Sequence, residues 1–246
     1  MARVDLNADL GEGMPFDAAL LAVVTSANVA CGGHAGDAAT MHETLRVAKQ
    51  RHVVVGAHPG WPDRQHFGRR RIAMPLADLR AELQSQVAAL TAIAHLLEWP
   101  VRYVKLHGAL ANQVAENADM ARTVGEATRA AGLGWLVMAQ TAMHAAAEAM
   151  AIPHRTEAFA DRSYGEDGLL TPRDKPGAVL HDPEHVADRA LEMLQRQALP
   201  LARGGWLPTR IDSLCVHGDT PEALALATRL RTRLEGAGWQ VRAPDW

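Results

Sequence analysis

Short runs of β-branched residues alternate along this chain with longer segments of helical periodicity, and this alternation constrains the fold more than any other feature. Such alternation is typical of βα units whose strands form one parallel sheet. We predict strands near residues 3–9, 27–31, 52–57, 101–106, 135–139, 155–159 and 211–216. Helices are predicted near residues 17–25, 37–51, 76–97, 117–131, 141–150, 183–197 and 221–234.

About seven βα units fit a single domain that spans residues 1–246. We expect a distorted (β/α) barrel of about seven strands, with an open doubly wound sheet as the alternative. Polar residues cluster where many of the predicted strands end, as expected when the βα loops of a barrel build one site. Hydrophobic residues make up 48% of the chain and charged residues 22%, which is a globular composition.

Charge and cysteine content exclude several function classes. The formal net charge of −3 offers no basic field for nucleic acid. No apolar run approaches the roughly 18 residues of a membrane span, and two aspartates interrupt the first nine residues, so we expect neither an anchor nor a signal peptide. The chain has two cysteines, Cys31 and Cys215, which is typical of a reducing compartment, and we expect a cytoplasmic protein.

The first predicted strand carries three polar residues on one face. Asp5, Asn7 and Asp9 alternate with apolar residues, so their side chains point the same way. Inside a barrel they need hydrogen bonds or a ligand, because an unpartnered buried polar group is costly. Paired carboxylates there fit acid–base chemistry or metal binding. An edge strand with one solvated face is the alternative.

Four predicted strands are followed closely by histidine: His34, His58, His107 and His217. In a barrel these side chains converge on the mouth at the carboxyl ends of the strands. Histidine titrates near neutral pH and is a common metal ligand. Cys31 lies near His34 and could be a nucleophile, although a small buried residue is its commoner role.

Three further charged residues are candidates for the same site. Lys105 shares a strand face with His107 and could bind an anion or act as a base, or extend as an ordinary strand-end lysine. Glu157 closes the sixth strand, and Arg173 lies in the long loop over 160–177 that follows it. An arginine there could bind a substrate carboxylate or form a surface ion pair.

Several motifs are absent from the sequence. It contains no phosphate-binding P-loop, no dinucleotide fingerprint, no G-x-S-x-G nucleophile elbow, and no C-x-x-C or H-E-x-x-H zinc motif. The residues alone therefore indicate a barrel enzyme for a small polar or anionic substrate. Carboxylates and histidines would supply its acid–base chemistry, with a divalent metal as a further candidate.

Six blocks resemble the LamB/YcsF family, in order and across essentially the whole chain. They are VDLNADLGEG at the N-terminus, SANVACGGHAGD at 26–37, GAHPGWPD with FGRR at 56–70, VKLHGALAN at 104–112, EAFADRSYGEDGLLTPR at 157–173 and CVHGDTP at 215–221. The resemblance implies a distorted (β/α) barrel similar to that of polysaccharide deacetylases. It also implies the A subunit of a bacterial 5-oxoprolinase, which opens 5-oxoproline to glutamate with ATP and separate B and C subunits.

The polar positions that match the family are Asp5, Asn7, Asp9, Glu12, His34, Asp37, His58, Lys105, His107, Glu157, Arg162, Arg173, His217 and Asp219. From their chemistry we expect Asp9, Glu12, His58 and His107 to be catalytic. We expect Asn7, His34, Lys105, Glu157, Arg173 and His217 to bind substrate. Asp9, His34 and His58 are candidate metal ligands, and ATP is expected to be handled mainly by the partner subunits.

The sequence departs from the family pattern near the expected mouth, where Gly33, Leu106 and Ala111 replace an aromatic residue, a proline and a tyrosine. A related lactam or amide is therefore an alternative substrate. A metal-dependent amidase or deacetylase that needs no ATP is the alternative enzyme, and a non-catalytic partner of the other subunits is a third hypothesis. A homo-oligomer is compatible with the sequence.

Overall fold

A computed structural model describes residues 2–173, 175–216 and 223–246. The strands are β1 (Arg3–Leu10), β2 (Ser26–Ala30), β3 (Val54–His58), β4 (Val101–Val104), β5 (Gly134–Met138), β6 (His154–Phe159), β7 (Ala198–Pro200), β8 (Trp206–Pro208), β9 (Ser213–Val216) and β10 (Gln240–Val241). The helices are α1 (Asp17–Leu20), α2 (Ala38–Arg51), α3 (Leu76–Leu96), α4 (Gly108–Glu116), α5 (Ala118–Ala130), α6 (Ala142–Ala149), α7 (Pro183–Arg196) and α8 (Ala223–Gly236).

Seven parallel strands of the described chain close into a barrel, in the order β1-β2-β3-β4-β5-β6-β9, and β9 pairs again with β1. The predicted barrel is confirmed, and the open doubly wound sheet and the edge position of β1 are wrong. β10 adds to the start of β1 through Arg3 and Val4. No helix among the described residues has both the length and the apolarity to cross a membrane.

The two faces of β1 have different environments. Leu6, Ala8 and Leu10 are fully buried and belong to the apolar core. Their neighbours on the other face are also buried but point into the barrel, where Asn7 reaches Glu157 on β6 and Ser213 on β9. A parallel barrel covers both strand faces, so the alternation separates an apolar outer layer from a polar interior.

Four of the described elements were not predicted: α4, β7, β8 and β10. α4 begins directly after His107, with one residue between its end and the start of α5. β7 and β8 form an antiparallel hairpin outside the barrel, and β10 is only two residues long. The predicted helix at 17–25 is also shorter, since α1 ends at Leu20 and turns follow.

An aromatic pair closes the barrel end opposite the predicted site. Tyr103 points inward from β4, two residues before Lys105, and its ring stacks on Trp246 with centroids 4.4 Å apart. A side chain at Gly134, where β5 begins, would collide with the Trp246 ring. The open end is therefore the one where the strands end in polar residues.

Candidate active site

The inward polar residues of β1 are held by hydrogen bonds from neighbouring strands and loops. Asp5 accepts hydrogen bonds from the hydroxyls of Thr25, Ser26 and Ser213. Burial raises the pKa of Asp5, and these hydroxyls act in the opposite direction. Asn28 of β2 donates to both Asn7 and Asp9, at 2.7 and 2.9 Å. The predicted polar face is therefore hydrogen-bonded to side chains of neighbouring strands and loops inside the barrel.

Lys105 lies at the centre of this interior network. Its ammonium lies 2.8 Å from Asp9 Oδ1, 2.9 Å from Glu157 Oε1 and 3.2 Å from Asn7 Oδ1. Burial alone would lower the pKa of Lys105, but the attraction of Asp9 and its other partners raises that pKa well above its usual value. The side chain therefore stays charged, which disfavours the alternative of a lysine base, and its charge balances the buried carboxylates.

Three of the four predicted histidines meet above this network, together with Glu12. Glu12 Oε1 lies 3.0 Å from His34 Nε2 and 3.3 Å from His107 Nδ1. His58 Nε2 lies 3.0 Å from His107 Nδ1 and 3.4 Å from Asp9 Oδ2. The predicted convergence at the carboxyl ends of the strands is thus confirmed for His34, His58 and His107, whereas His217 and Asp219 lie outside the described residues.

The hydrogen bonds of two rings determine which nitrogens are free. His58 Nδ1 lies 2.9 Å from the Lys105 carbonyl, and His107 Nε2 lies 2.9 Å from the Phe67 carbonyl. A carbonyl oxygen only accepts, so both nitrogens donate. In the neutral rings, His58 Nε2 and His107 Nδ1 therefore direct lone pairs at each other across 3.0 Å, an arrangement that needs a cation or a shared proton between them.

The donor set fits a divalent metal ion. Ligand atoms of Glu12, His34, His58 and His107 all lie within 4.8 Å of one another. Burial lowers the pKa of His107 to about 3 and also lowers that of His34, so both rings are in the unprotonated form that binds metals. His34 and His58 were predicted as ligands, Glu12 and His107 complete the group, and Asp9 lies beside it.

Close backbone approach packs this cluster tightly. The His34 and His107 rings stack with centroids 3.6 Å apart. A Cβ added at Gly60 would lie 2.6 Å from His34 Nδ1, and one at Gly68 would lie 2.7 Å from His34 Cβ. Gly33 is equally confined, because an added Cβ would meet the Gln86 amide at about 2.5 Å, so an aromatic residue cannot replace it while Gln86 stays in place.

A cavity of about 410 Å³ opens above the cluster. Asp9, Glu12, Lys105 and His107 line it, together with Leu106 and Ala111, two of the positions that depart from the family pattern. Four arginines also line it: Arg69, Arg71, Arg162 and Arg173. Arg173 therefore lies at the site, as predicted. Asn7, His34, His58 and Glu157 are not among the lining residues, and they support those that are.

The arginines differ in how they are engaged. Arg162 donates to the carbonyls of Ala178 and Thr171, and it thereby braces the long loop after β6. Burial lowers the pKa of Arg162 to about 10, and the neighbouring positive charge of Arg173 is the second cause of this shift. Arg71 pairs with Glu116 at the rim. The cavity lining thus combines carboxylates and a histidine with several guanidinium groups.

Sequence reasoning did not identify several residues of this site. Asn28 and Ser213 follow the same two-residue alternation as Asp5 and Asn7, and this alternation could have identified them. Arg69 lies within the FGRR block and Arg71 directly follows it, but neither carried an assigned role. Cys31 is not a nucleophile in this arrangement, because burial raises the pKa of its thiol to about 12. Cys215 is buried as expected, with its sulfur 3.0 Å from Lys105 Nζ.

Comparison with known proteins agrees with this architecture. The A subunit of 5-oxoprolinase from Rhodopseudomonas palustris, a curated relative, is 43% identical over 97% of both chains. The crystal structure of the lactam utilization protein from Thermus thermophilus has a TM-score of 0.91 and 37% identity, covering 98% of this chain and 100% of that one. The polysaccharide deacetylase Bc1974 from Bacillus cereus shares the fold, with a TM-score of 0.56 and 12% identity over 100% and 93% of the two chains. The LamB/YcsF family model matches residues 4–245, and the chain belongs to the LamB/YcsF family.

Proposed function

We propose that this chain is the A subunit of an ATP-dependent 5-oxoprolinase and hydrolyses the lactam amide of 5-oxoproline to give glutamate. The observation that carries the proposal is the cavity of about 410 Å³, which suits a small molecule and is lined by Asp9, Glu12 and His107 together with four arginines. The relatives named for this activity and for lactam utilization support the choice of substrate.

Asp9 is the general base in this proposal. Its Oδ1 accepts from Lys105 and Asn28, which hold the carboxylate in one orientation, while Oδ2 faces His58. The buried ammonium of Lys105 favours the ionised form of its partner. Asp9 can therefore accept a proton from a water molecule that attacks the lactam carbonyl, and Lys105 acts by positioning it rather than by contacting substrate.

The histidine cluster would supply the group that activates the lactam carbonyl. The Glu12, His34, His58 and His107 side chains are the ones that would hold a divalent metal ion. When bound, such an ion would polarise the lactam carbonyl and lower the pKa of a bound water. Of the four, Glu12 and His107 line the cavity. The proton that Asp9 accepts from water is the one passed on to the departing lactam nitrogen.

Arg173 binds the substrate carboxylate in this scheme. It lines the same cavity as Asp9 and belongs to the long loop that Arg162 holds by hydrogen bonds. A guanidinium group pairs well with a carboxylate through two parallel hydrogen bonds. His217, which the sequence also placed in substrate binding, remains a prediction.

The partners and the role of ATP belong to the same proposal. The subunit designation of the relatives supports a multi-subunit enzyme, and we assign the other components to the B and C subunits. The sequence has no P-loop, so we assign ATP to the complex and lactam opening to this chain. Two free, buried cysteines support a cytoplasmic location.

The test is glutamate formation from 5-oxoproline and ATP by the assembled subunits, with and without this chain. We expect glutamate only when this chain is present. Absence of glutamate from a verified complex would refute the proposal.

A metal-dependent amidase that needs no ATP is the second candidate, and the metal-fitting cluster favours it. In that case the isolated chain, loaded with Zn²⁺, would hydrolyse a lactam or amide without ATP. Site variants that leave the assembled complex fully active would instead support a non-catalytic role.

A further inference from the structure

A second group of potential metal ligands lies outside the cavity, on α6 and the strand that follows it. His144 and Glu148 are one helical turn apart on α6, and His154 is the first residue of β6. One ligand atom from each lies within 4.8 Å of the other two, and none of the three lines the cavity. We propose that these side chains form a separate divalent-cation site, selective for Zn²⁺ over Mg²⁺ and Ca²⁺.

His154 is already oriented for metal binding. Its Nδ1 lies 2.9 Å from the carbonyl oxygen of Ile152. The carbonyl only accepts, so Nδ1 carries the proton and the neutral ring keeps its lone pair on Nε2. A backbone carbonyl on the remote nitrogen is the usual support of a metal-bound histidine, because it determines the tautomer and the ring orientation.

His144 and Glu148 complete the set from one face of the helix. His144 Nε2 lies 3.6 Å from Glu148 Oε1, and the His144 and His154 rings have centroids 5.4 Å apart. His144 Nδ1 accepts a long hydrogen bond of 3.4 Å from the Gln140 N–H. Metal binding at Nε2 would place the ring proton on Nδ1, so this long contact with the Gln140 N–H would have to open. Burial lowers the pKa of His144, which favours the unprotonated ring.

The donor types select the cation. Two imidazoles and one carboxylate suit Zn²⁺, with water as the fourth ligand, whereas Mg²⁺ and Ca²⁺ prefer sites made of oxygen ligands. Asp212 is close to His144, but its carboxylate oxygens are engaged by Thr156 and Arg210, so we do not include it.

The consequence of this site is structural. The ion would join α6 to β6 across the turn at residues 150–153, where Ala151 adopts a positive φ of 51°. An ion that binds only the folded protein stabilises it by mass action. With free Zn²⁺ about 100-fold above its Kd, we expect the melting temperature to rise by roughly 5–10 °C.

The experiment titrates Zn²⁺ into the metal-free full-length chain by calorimetry and follows thermal unfolding, for the wild type and for Glu148→Gln, His154→Gln and His95→Gln. Glu148 is 64% exposed, so its variant is expected to fold. His95 is an exposed helical histidine of α3 outside both clusters and is the matched control. Mg²⁺ is titrated in parallel.

We expect Glu148→Gln to weaken the affinity for one of the bound Zn²⁺ ions by about tenfold or more. His154→Gln should remove that equivalent, and both variants should lose the associated rise in melting temperature. His95→Gln should bind like the wild type, and all three should keep the wild-type activity of the assembled complex, which separates this test from that of the proposed function. The proposal is overturned if Glu148→Gln and His154→Gln bind Zn²⁺ with the stoichiometry and affinity of His95→Gln, or if Mg²⁺ binds equally well.

Discussion

Replacement of Lys105 by methionine tests the idea that one buried cation balances the carboxylates inside the barrel. Methionine keeps most of the stem but removes the charge that lies 2.8 Å from Asp9 and 2.9 Å from Glu157. Removal of one partner from a buried ion pair costs about 3–5 kcal/mol, because it leaves an uncompensated charge. For a chain of this length we expect the melting temperature to fall by roughly 6–20 °C.

The loss should depend on pH in a defined direction. Burial already raises the pKa of Glu157, and Lys105 opposes that shift. Without the ammonium, the carboxyl pKa values in the folded state rise further above their unfolded values. A raised carboxyl pKa contributes stability that is present at low pH and is lost as the pH rises. The deficit relative to the wild type should therefore be smaller at pH 5 than at pH 8.

Thermal unfolding and denaturant titration between pH 5 and 8 measure both effects. Addition of Glu157→Gln to Lys105→Met is the matched control, because it removes one uncompensated charge while its amide oxygen can still accept from Asn7. We expect this double variant to recover part of the lost stability. If Lys105→Met unfolds like the wild type across this range, the ammonium does not balance these carboxylates.

Three further variants address the cavity. Asp9→Asn keeps an oxygen that accepts from the neighbouring ammonium but removes the base, so we expect kcat of the assembled complex to fall by roughly 10²–10⁴-fold. Near-normal turnover would rule out Asp9 as the general base. Arg173→Ala should raise KM for 5-oxoproline far more than it lowers kcat, and Arg70→Ala, outside the cavity lining, should change neither; equal effects would refute carboxylate binding by Arg173. Gly68→Ala should displace two cluster histidines and abolish turnover. Gly132→Ala is the control, because Gly132 has a similar positive φ but open space around it, and it should lose only stability. The reasoning fails if both variants stay active.

The helix α4 shows why part of the fold was missed. It begins at Gly108, has no side-chain cap at its start, and ends where Asn117 already caps the next helix. Its pattern therefore lacked a separate start and stop signal, although the Ala109 N–H is bonded to the Gly68 carbonyl in the tertiary structure. The two-residue β10 and the hairpin of β7 and β8 are too short for their periodicity to be read.

The βα alternation, the two-residue polar pattern of β1 and the histidines at successive strand ends can be predicted from local sequence, because they are properties of periodicity and position. Closure of the sheet between β9 and β1, and the compensation of carboxylates from other strands by Lys105, are apparent only in the folded chain. Folding also brings Glu12 to three histidines and places two of their lone pairs face to face. These contacts join residues far apart in the chain, so they depend on strand register and ring orientation rather than on local pattern.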